Sequence, residues 1–382
     1  MTNSKIKKNE ILVVCTTDSM IWNFLVPHIK YWENKGYIVT CAASRTGFYF
    51  DELVNKFRIN MVEVPFDRHP FKKKNYIAYK QLKKAINENN YSEIVCQEPV
   101  GGVIARIAGH TSNARIIYTA HGFHFFRGAK TINWILYYPI ERMMSYYTND
   151  LITINEEDYI IAKKMHAKNV YKIHGIGVNL NKFNSSAAST FDINTIKQND
   201  NQIIILTVAE LIPRKNYETA LKTVKLLKEM KFNFRYLICG NGILENNLKK
   251  ICSDYNIEDV VIFLGFRKDV SEIYKKSDIF FFPSYQEGLS IALIEAMSSG
   301  CKIVCSKIRG NTDLITENVG GYLADPKDYE EFASKIIAIS SGHNDFVDYN
   351  KRKVRDYSIE KSTKEFFDII SKDTNVEGKR KV

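Results

Sequence analysis

The chain has no Cys-x-x-Cys pair, although it carries seven cysteines in 382 residues. An odd count without metal-ligand spacing leaves no basis for a disulfide framework or a zinc site, and predicts free thiols in a reducing compartment. No apolar run approaches the roughly 18 residues that cross a bilayer. The start, MTNSKIKKNE, is too polar for a secretory signal. No Asp-x-Asp pair closes a strand-like run, so no essential metal is expected. There is no repeat of solenoid type and no recognisable nucleic-acid reader motif. These absences predict an intracellular protein that does not span a membrane.

What is present is the length and apolar content for two α/β cores: 45% of residues are hydrophobic. The charge is lopsided, with 54 Lys and Arg against 43 Asp and Glu, or +11. A basic balance suits an acidic partner, yet general lysine abundance explains it as well.

Strand-like runs at Ile11–Cys15, Ile38–Ala42, Met61–Val64, Ile94–Cys96, Ile116–Thr119 and Leu151–Ile154 alternate with helical spacing at Trp22–Lys35 and Lys74–Asn87. The rhythm restarts with Ile203–Val208, Phe234–Cys239, Val260–Leu264, Ile279–Phe282 and Lys302–Cys305. Helical stretches there are Tyr217–Met230, Ile243–Tyr255 and Ile291–Ser299. Such alternation predicts parallel sheets covered on both faces. Asn179–Gln202, rich in Asn, Ser and Thr, reads as a linker. The expected layout is an α/β chain of two doubly wound, Rossmann-like domains, 1–180 and 181–357, facing a central cleft. A last helix, about 358–378, would cross back onto the first domain.

The densest signal is FFFPSYQEGLSIALIEAMSSG, Phe280 to Gly300. A strand ends at Pro283, a polar loop carries Glu287, and a helix starts near Ser290 with Glu295 about two turns into it. A helix N-terminus holds phosphate through its unpaired N–H groups, and carboxylates accept strongly from sugar hydroxyls. Either Glu alone is better explained as a capping or solvated residue, and it is the whole string that shifts the balance. Upstream, Arg214 and Lys215 follow the strand Ile203–Val208, where two cations suit a diphosphate leaving group. Gly240 and Gly242 follow another strand; alone they are a weak signal, since glycine also serves plain turns. In FLGFRKDV, Phe266 or Arg267 could meet a base.

The Glu287/Glu295 string resembles the E-x7-E signature of retaining family 4 glycosyltransferases, which have the GT-B fold, and the likeness extends over nearly the whole chain. It implies that Arg214 and Lys215 hold the donor diphosphate with help from the Gly288, Leu289 and Ser290 backbone. It places Glu287 on the transferred sugar, Glu295 on the ribose, and Gly240, Phe266 and Arg267 around the donor. Ala209-Glu210 stands where many relatives have Gly-Arg, which throws more of the phosphate charge onto Arg214 and Lys215.

In the first half, YTAHGFHFFRG places His121 just past a strand. Such a histidine is structural as often as functional, and the resemblance sets it beside the donor sugar. TAHGFHFF, NWILYYPIERMM and LITINEEDY resemble the capsule and exopolysaccharide branch, the CapM-type enzymes. The resemblance implies no cofactor, a UDP-sugar donor, and a polyprenyl-diphosphate-linked sugar as acceptor. The sugar expected is an N-acetylated hexosamine or deoxyhexosamine, transferred at the cytoplasmic face of the membrane. Acceptor candidates are Asp18, Ser19, Arg68, Phe123, His124 and Arg127, with Arg68 and Arg127 for the diphosphate.

Membrane contact has two candidate segments. Lys72–Lys74, Lys80, Lys83 and Lys84 crowd a helix striped by Ala78, Leu82, Ala85 and Ile86. Trp134, Tyr137, Tyr138, Met143, Met144, Tyr146 and Tyr147 form an aromatic and methionine cluster suited to a headgroup layer. Ordinary packing on a sheet and core burial account for the same patterns. A GT-B sugar-nucleotide epimerase is the alternative enzyme, and a basic nucleic-acid-binding protein leaves the two-glutamate string unexplained.

Overall fold

The computed structural model describes residues 9–184, 191–342 and 344–372. It divides into two compact units. One runs to Gly177 and resumes at Glu360; the other is Val178–Ile359.

The first unit is built on a seven-stranded sheet: β1 (Glu10–Thr17), β2 (Ile38–Ser44), β3 (Asn60–Glu63), β4 (Glu93–Gln97), β5 (Arg115–Ala120), β6 (Asp150–Thr153) and β7 (Asn169–Lys172). The order is β3-β2-β1-β4-β5-β6-β7, and every pairing is parallel. Its main helices are α1 (Val26–Asn34), α2 (Lys73–Glu88), α3 (Pro99–Gly109) and α4 (Thr131–Met144). The strand order reverses between β1 and β4, so the loops after these two strands diverge to opposite faces and leave a crevice at their carboxyl ends. Thr16, Asp18, Gln97 and Glu98 lie at or just past those ends.

The second unit repeats the plan with β8 (Ile203–Val208), β9 (Phe234–Cys239), β10 (Val261–Gly265), β11 (Ile279–Phe282), β12 (Lys302–Ser306) and β13 (Tyr322–Ala324). The order is β10-β9-β8-β11-β12-β13, again all parallel. α5 (Tyr217–Glu229), α6 (Glu245–Asp254), α7 (Ile291–Ser299) and α8 (Tyr329–Ser340) cover it. The reversal here falls between β8 and β11, whose register pairs Ile279 with Ile205 and Phe280 with Leu206. β11 is buried throughout because a parallel strand has helices on both faces.

The chain closes with α9 (Ile359–Ile370), which belongs to the first unit from Glu360 onward. Phe366 sets its ring edge against Trp32 and His28, with centroids 5.4 and 5.7 Å away. Arg115, ion-paired with Asp150, donates to the carbonyls of Ile369, Ile370 and Lys372 at and just past the helix end, where intrahelical donors run out. The expected extension to 378 lies outside the described residues beyond 372.

Four local expectations are corrected. The helix read from Trp22 begins as a wide π-type turn at Ile21–Leu25, and regular α-helix starts only at Val26, with Pro27 in its first turn. The stretch Asn179–Gln202 is not a free linker at its ends: Leu180, Phe183 and Phe191 are buried in the second unit's core, while 185–190 lie outside the described residues. β7 and β13, short and at the sheet edges, were not expected. Glu295 is the fifth residue of α7, just over one turn in, because the helix begins at Ile291. All seven cysteines are free and buried. No helix among the described residues is long and apolar enough to cross a membrane.

Candidate active site

In the second unit the loops after β8 and β11 emerge side by side at the sheet reversal, which brings Lys215 and Glu287 together across 72 positions of sequence. Lys215 Nζ donates to Glu287 Oε1 at 2.7 Å and lies 4.9 Å from the Phe282 ring centroid. Arg214 Nη1 is 3.5 Å from Glu287 Oε2. Burial holds the Lys215 ammonium below the ordinary lysine value, with Glu287 opposing that shift. Arg214 is half exposed, so its charge remains available to a ligand.

Three neighbours fix this pair. Asn216 adopts φ +58 at the N-cap of α5; its Nδ2 donates to the carbonyls of Pro283 (2.8 Å) and Pro326 (2.6 Å), and its Oδ1 accepts from Thr219 N–H. The Tyr285 N–H donates to the Arg214 carbonyl at 2.9 Å. Arg309, buried after β12, donates from Nε to the Glu287 carbonyl at 3.1 Å. Gly310 beside it must be glycine: φ is +78, and a Cβ would stand 2.4 Å from the Gly288 oxygen.

Ser290 caps α7, its Oγ accepting from Leu293 N–H at 3.2 Å, so Gly288, Leu289 and Ser290 lead directly into a helix N-terminus. Glu295 Oε2 accepts from Tyr274 Oη at 3.2 Å, and burial raises its carboxyl to about 7. Phe266 is 70% exposed, whereas Arg267 is ion-paired with Asp269. Gly240 has a packing reason: φ is +144, and a Cβ would lie 1.9 Å from the Ala209 carbonyl oxygen. Glu210, on the same loop, is exposed.

In the first unit His121 follows β5, and its Nε2 meets Gln97 Oε1 at 2.6 Å. Burial, with His28 adding to it, lowers its pKa to about 4, so the imidazole is neutral near pH 7. Glu98, just after β4, holds φ 64 and ψ 155, a region costly for a residue with a side chain. Its Oε2 accepts the Thr16 N–H at 2.9 Å, and burial raises its carboxyl.

The acceptor candidates divide. Asp18 is fully buried and its carboxylate is taken up by the Thr46 N–H and hydroxyl, which anchors a loop. Ser19 Oγ is 3.0 Å from Thr17 Oγ1. Arg127 is exposed, with its N–H held by Glu157. His124 stacks on Tyr137 with centroids 4.7 Å apart. Arg68, Phe123 and His124 are brought together as walls of one cavity of about 550 Å³. On α2 the stripe Ala78, Leu82 and Ile86 is buried in the core while Lys72, Lys73, Lys74, Lys80 and Lys84 are exposed. On α4, Trp134 and Tyr138 pack on Phe125, yet Ile135 and Leu136 are 63% and 52% exposed. Among the described residues no group of three His, Cys, Asp or Glu could hold a metal ion.

Asn216, Arg309, Gln97 and Glu98 went unread in the sequence. Asn216 had a signal, an Asn at a helix start beside a candidate cation. Arg309 and Gln97 act through contacts with distant loops that no local pattern encodes.

Residues 10–155 match the family described as Glycosyl transferase 4-like, and residues 189–355 match Glycosyl transferases group 1. The chain is 35% identical over 338 residues to EpsD of Bacillus subtilis (strain 168), named as a glycosyltransferase, covering 86% of each chain. It is 29% identical over 267 residues to the UDP-Gal:alpha-D-GlcNAc-diphosphoundecaprenol alpha-1,3-galactosyltransferase of Escherichia coli, covering 68% of this chain and 69% of that one. Among solved structures, Anabaena HepE in complex with UDP and glucose superposes with a TM-score of 0.77 at 16% identity, over 95% of this chain and 99% of that one. The two Rossmann-like units are those of the GT-B fold. The chain belongs to the family 4 glycosyltransferases, in their exopolysaccharide branch.

Proposed function

We propose that this glycosyltransferase moves a sugar from a UDP-sugar to a polyprenyl-diphosphate-linked sugar, with retention of anomeric configuration and without an essential metal, in capsule or exopolysaccharide assembly. The observation that carries the donor half is the Lys215–Glu287 pair at the second unit's sheet reversal, flanked by Arg214 and the capped start of α7. Two cations and a helix N-terminus suit a diphosphate, and the carboxylate between them suits sugar hydroxyls. Glu295 is assigned to the ribose, and exposed Phe266 to the base. The relatives named above are transferases, and the epimerase alternative gains no support from them.

Catalysis on this reading is electrostatic. Arg214 and Lys215 stabilise the charge that grows on the departing UDP, and removing one such contact typically costs about 3–4 kcal/mol of barrier. The UDP phosphate takes the proton of the incoming hydroxyl on the same face of the sugar. His121, neutral and oriented by Gln97, hydrogen-bonds the transferred sugar rather than acting as an acid. The enzyme works at the cytoplasmic membrane surface, where its acceptor resides; the exposed lysines at the start of α2 suit anionic headgroups.

The test is UDP release with a panel of UDP-N-acetyl sugars, with and without a short polyprenyl-diphosphate-sugar. Release that needs the acceptor, with one donor, supports the assignment and names the substrates. Release without acceptor and with an altered free UDP-sugar would overturn it in favour of an epimerase. Absence of UDP binding would overturn the donor assignment.

A further inference from the structure

The first unit's cavity of about 550 Å³ falls in the size range of small-molecule sites. Its walls include Val100, Val103 and Ile104 from α3, Leu136 and Ile140 from α4, and Phe71 from the loop before α2. Phe71 is 94% exposed, and Leu136 and Ile140 are also partly open to solvent. The apolar lining therefore runs out onto the surface, where Ile132, Ile135 and Met143 continue it along α4. A core helix that turns such a row outward leaves apolar area without a partner.

The charges along the walls are unequal. Glu141 is consumed by Arg106, whose Nη2 donates to it at 2.9 Å, and by the Tyr118 hydroxyl at 3.2 Å. Glu98 is turned back onto the Thr16 N–H. Arg68 is exposed and makes no hydrogen bond or direct ion pair among the described residues, its charge being felt only at longer range by Glu98, and Lys72, Lys73 and Lys74 stand exposed just after Phe71. An apolar cavity whose carboxylates are hydrogen-bonded within the protein, and whose exposed guanidinium has all its N–H donors still open, suits a ligand with an aliphatic body and an anionic head.

We propose that this cavity holds the first isoprene units of the acceptor lipid, with Arg68 binding the diphosphate to which they are attached. The inference rests on the acceptor class assigned above and adds to it a seat for the lipid inside the protein, so that the enzyme reads the carrier as well as the sugar. Each buried methylene strengthens binding roughly fourfold, part of which ordering of the chain cancels.

The probe is farnesyl diphosphate at concentrations where it is monomeric, titrated calorimetrically into the full chain beside inorganic pyrophosphate. Farnesyl diphosphate is expected to bind at least ~30-fold more tightly than pyrophosphate. Val103→Phe, which narrows the cavity, and Leu136→Gln, at an exposed position on its rim, should each weaken farnesyl diphosphate at least about tenfold and leave pyrophosphate unchanged. Arg68→Gln should weaken both ligands alike. UDP binding and melting temperature, measured on each preparation, report folding and the donor site separately. Equal affinity for the two diphosphates, or both cavity variants folded and unaffected, would overturn the proposal while leaving the transferase assignment standing. Loss of vesicle binding by Leu136→Gln with farnesyl diphosphate affinity unchanged would assign the apolar face to membrane docking and overturn it too. Tight farnesyl diphosphate binding without UDP binding would uphold the cavity and remove the donor assignment.

Discussion

Lys215 and Glu287 form an ion pair of 2.7 Å whose cation rests 4.9 Å from the ring centroid of Phe282, so one carboxylate, one ammonium and one aromatic face share a mostly buried volume. Each charge is tolerable there because the other is present. A donor that brings its own diphosphate and hydroxyls would offer both groups further partners.

Glu287→Gln and Lys215→Met are each expected to reduce transfer at least about a hundredfold, read as UDP release in the presence of acceptor. Each should also cost about 1–3 kcal/mol of stability by leaving the other charge unpaired. A double-mutant cycle of unfolding free energies should show coupling of about 0.5–3 kcal/mol, and strict additivity would contradict the pairing.

Glu295 titrates near 7 because burial disfavours its charge. Its pKa is raised on folding, so the stabilisation of the neutral form is present in full below the ordinary carboxyl value and is lost as pH rises through about 7. Glu295→Gln should therefore gain stability over the parent at pH 8 and show little of that gain at pH 4, read from melting temperatures.

On the proposed ribose assignment, the same carboxyl would link donor binding to pH. Ribose hydroxyls donate best to the ionised form, so UDP affinity should rise between pH 6 and 8 with release of a proton. Calorimetry in buffers of different ionisation enthalpy measures that proton. Glu295→Gln subtracts the phosphate's own titration, and an unchanged proton count in the variant would refute the assignment.

Asn216→Ala removes acceptance from Thr219 N–H and donation to two proline carbonyls at a position of φ +58. The expected cost is about 2–4 kcal/mol, with a fall in turnover because Lys215 precedes it. Asn216→Gly should recover the backbone part of the stability and little of the turnover.

The parallel strands were legible because burial on both faces writes them as unbroken apolar runs, as Phe280–Phe282 shows. β7 and β13 were not: they are short edge strands, and residues such as Val170 and Tyr322 are only half buried, so their pattern blurs into loop. That Arg214, Lys215 and Glu287 lie in loops following strands was legible from the apolar runs before them, whereas Glu295 was placed most of a turn too deep in its helix. Asn216 and Arg309 act on carbonyls 67 to 110 and 22 positions away, respectively. Such distances are set by strand order, which no local window contains. Asp18 shows the converse: its place after β1 resembled a site, and its neighbour Thr46 uses the carboxylate to hold a loop.

Ribosomal synthesis gives the position of α9 a temporal meaning. Domains ordinarily fold as they emerge, N-terminal first, at about 5–20 residues per second. Here His28 and Trp32 wait for Phe366, and Arg115 waits for the carbonyls at the end of α9. The unit made first is thus finished last, after an interval on the order of tens of seconds. Until then the faces of His28 and Trp32 that Phe366 covers lack that cover, and a chain that terminates early loses the integrity of its beginning rather than its end.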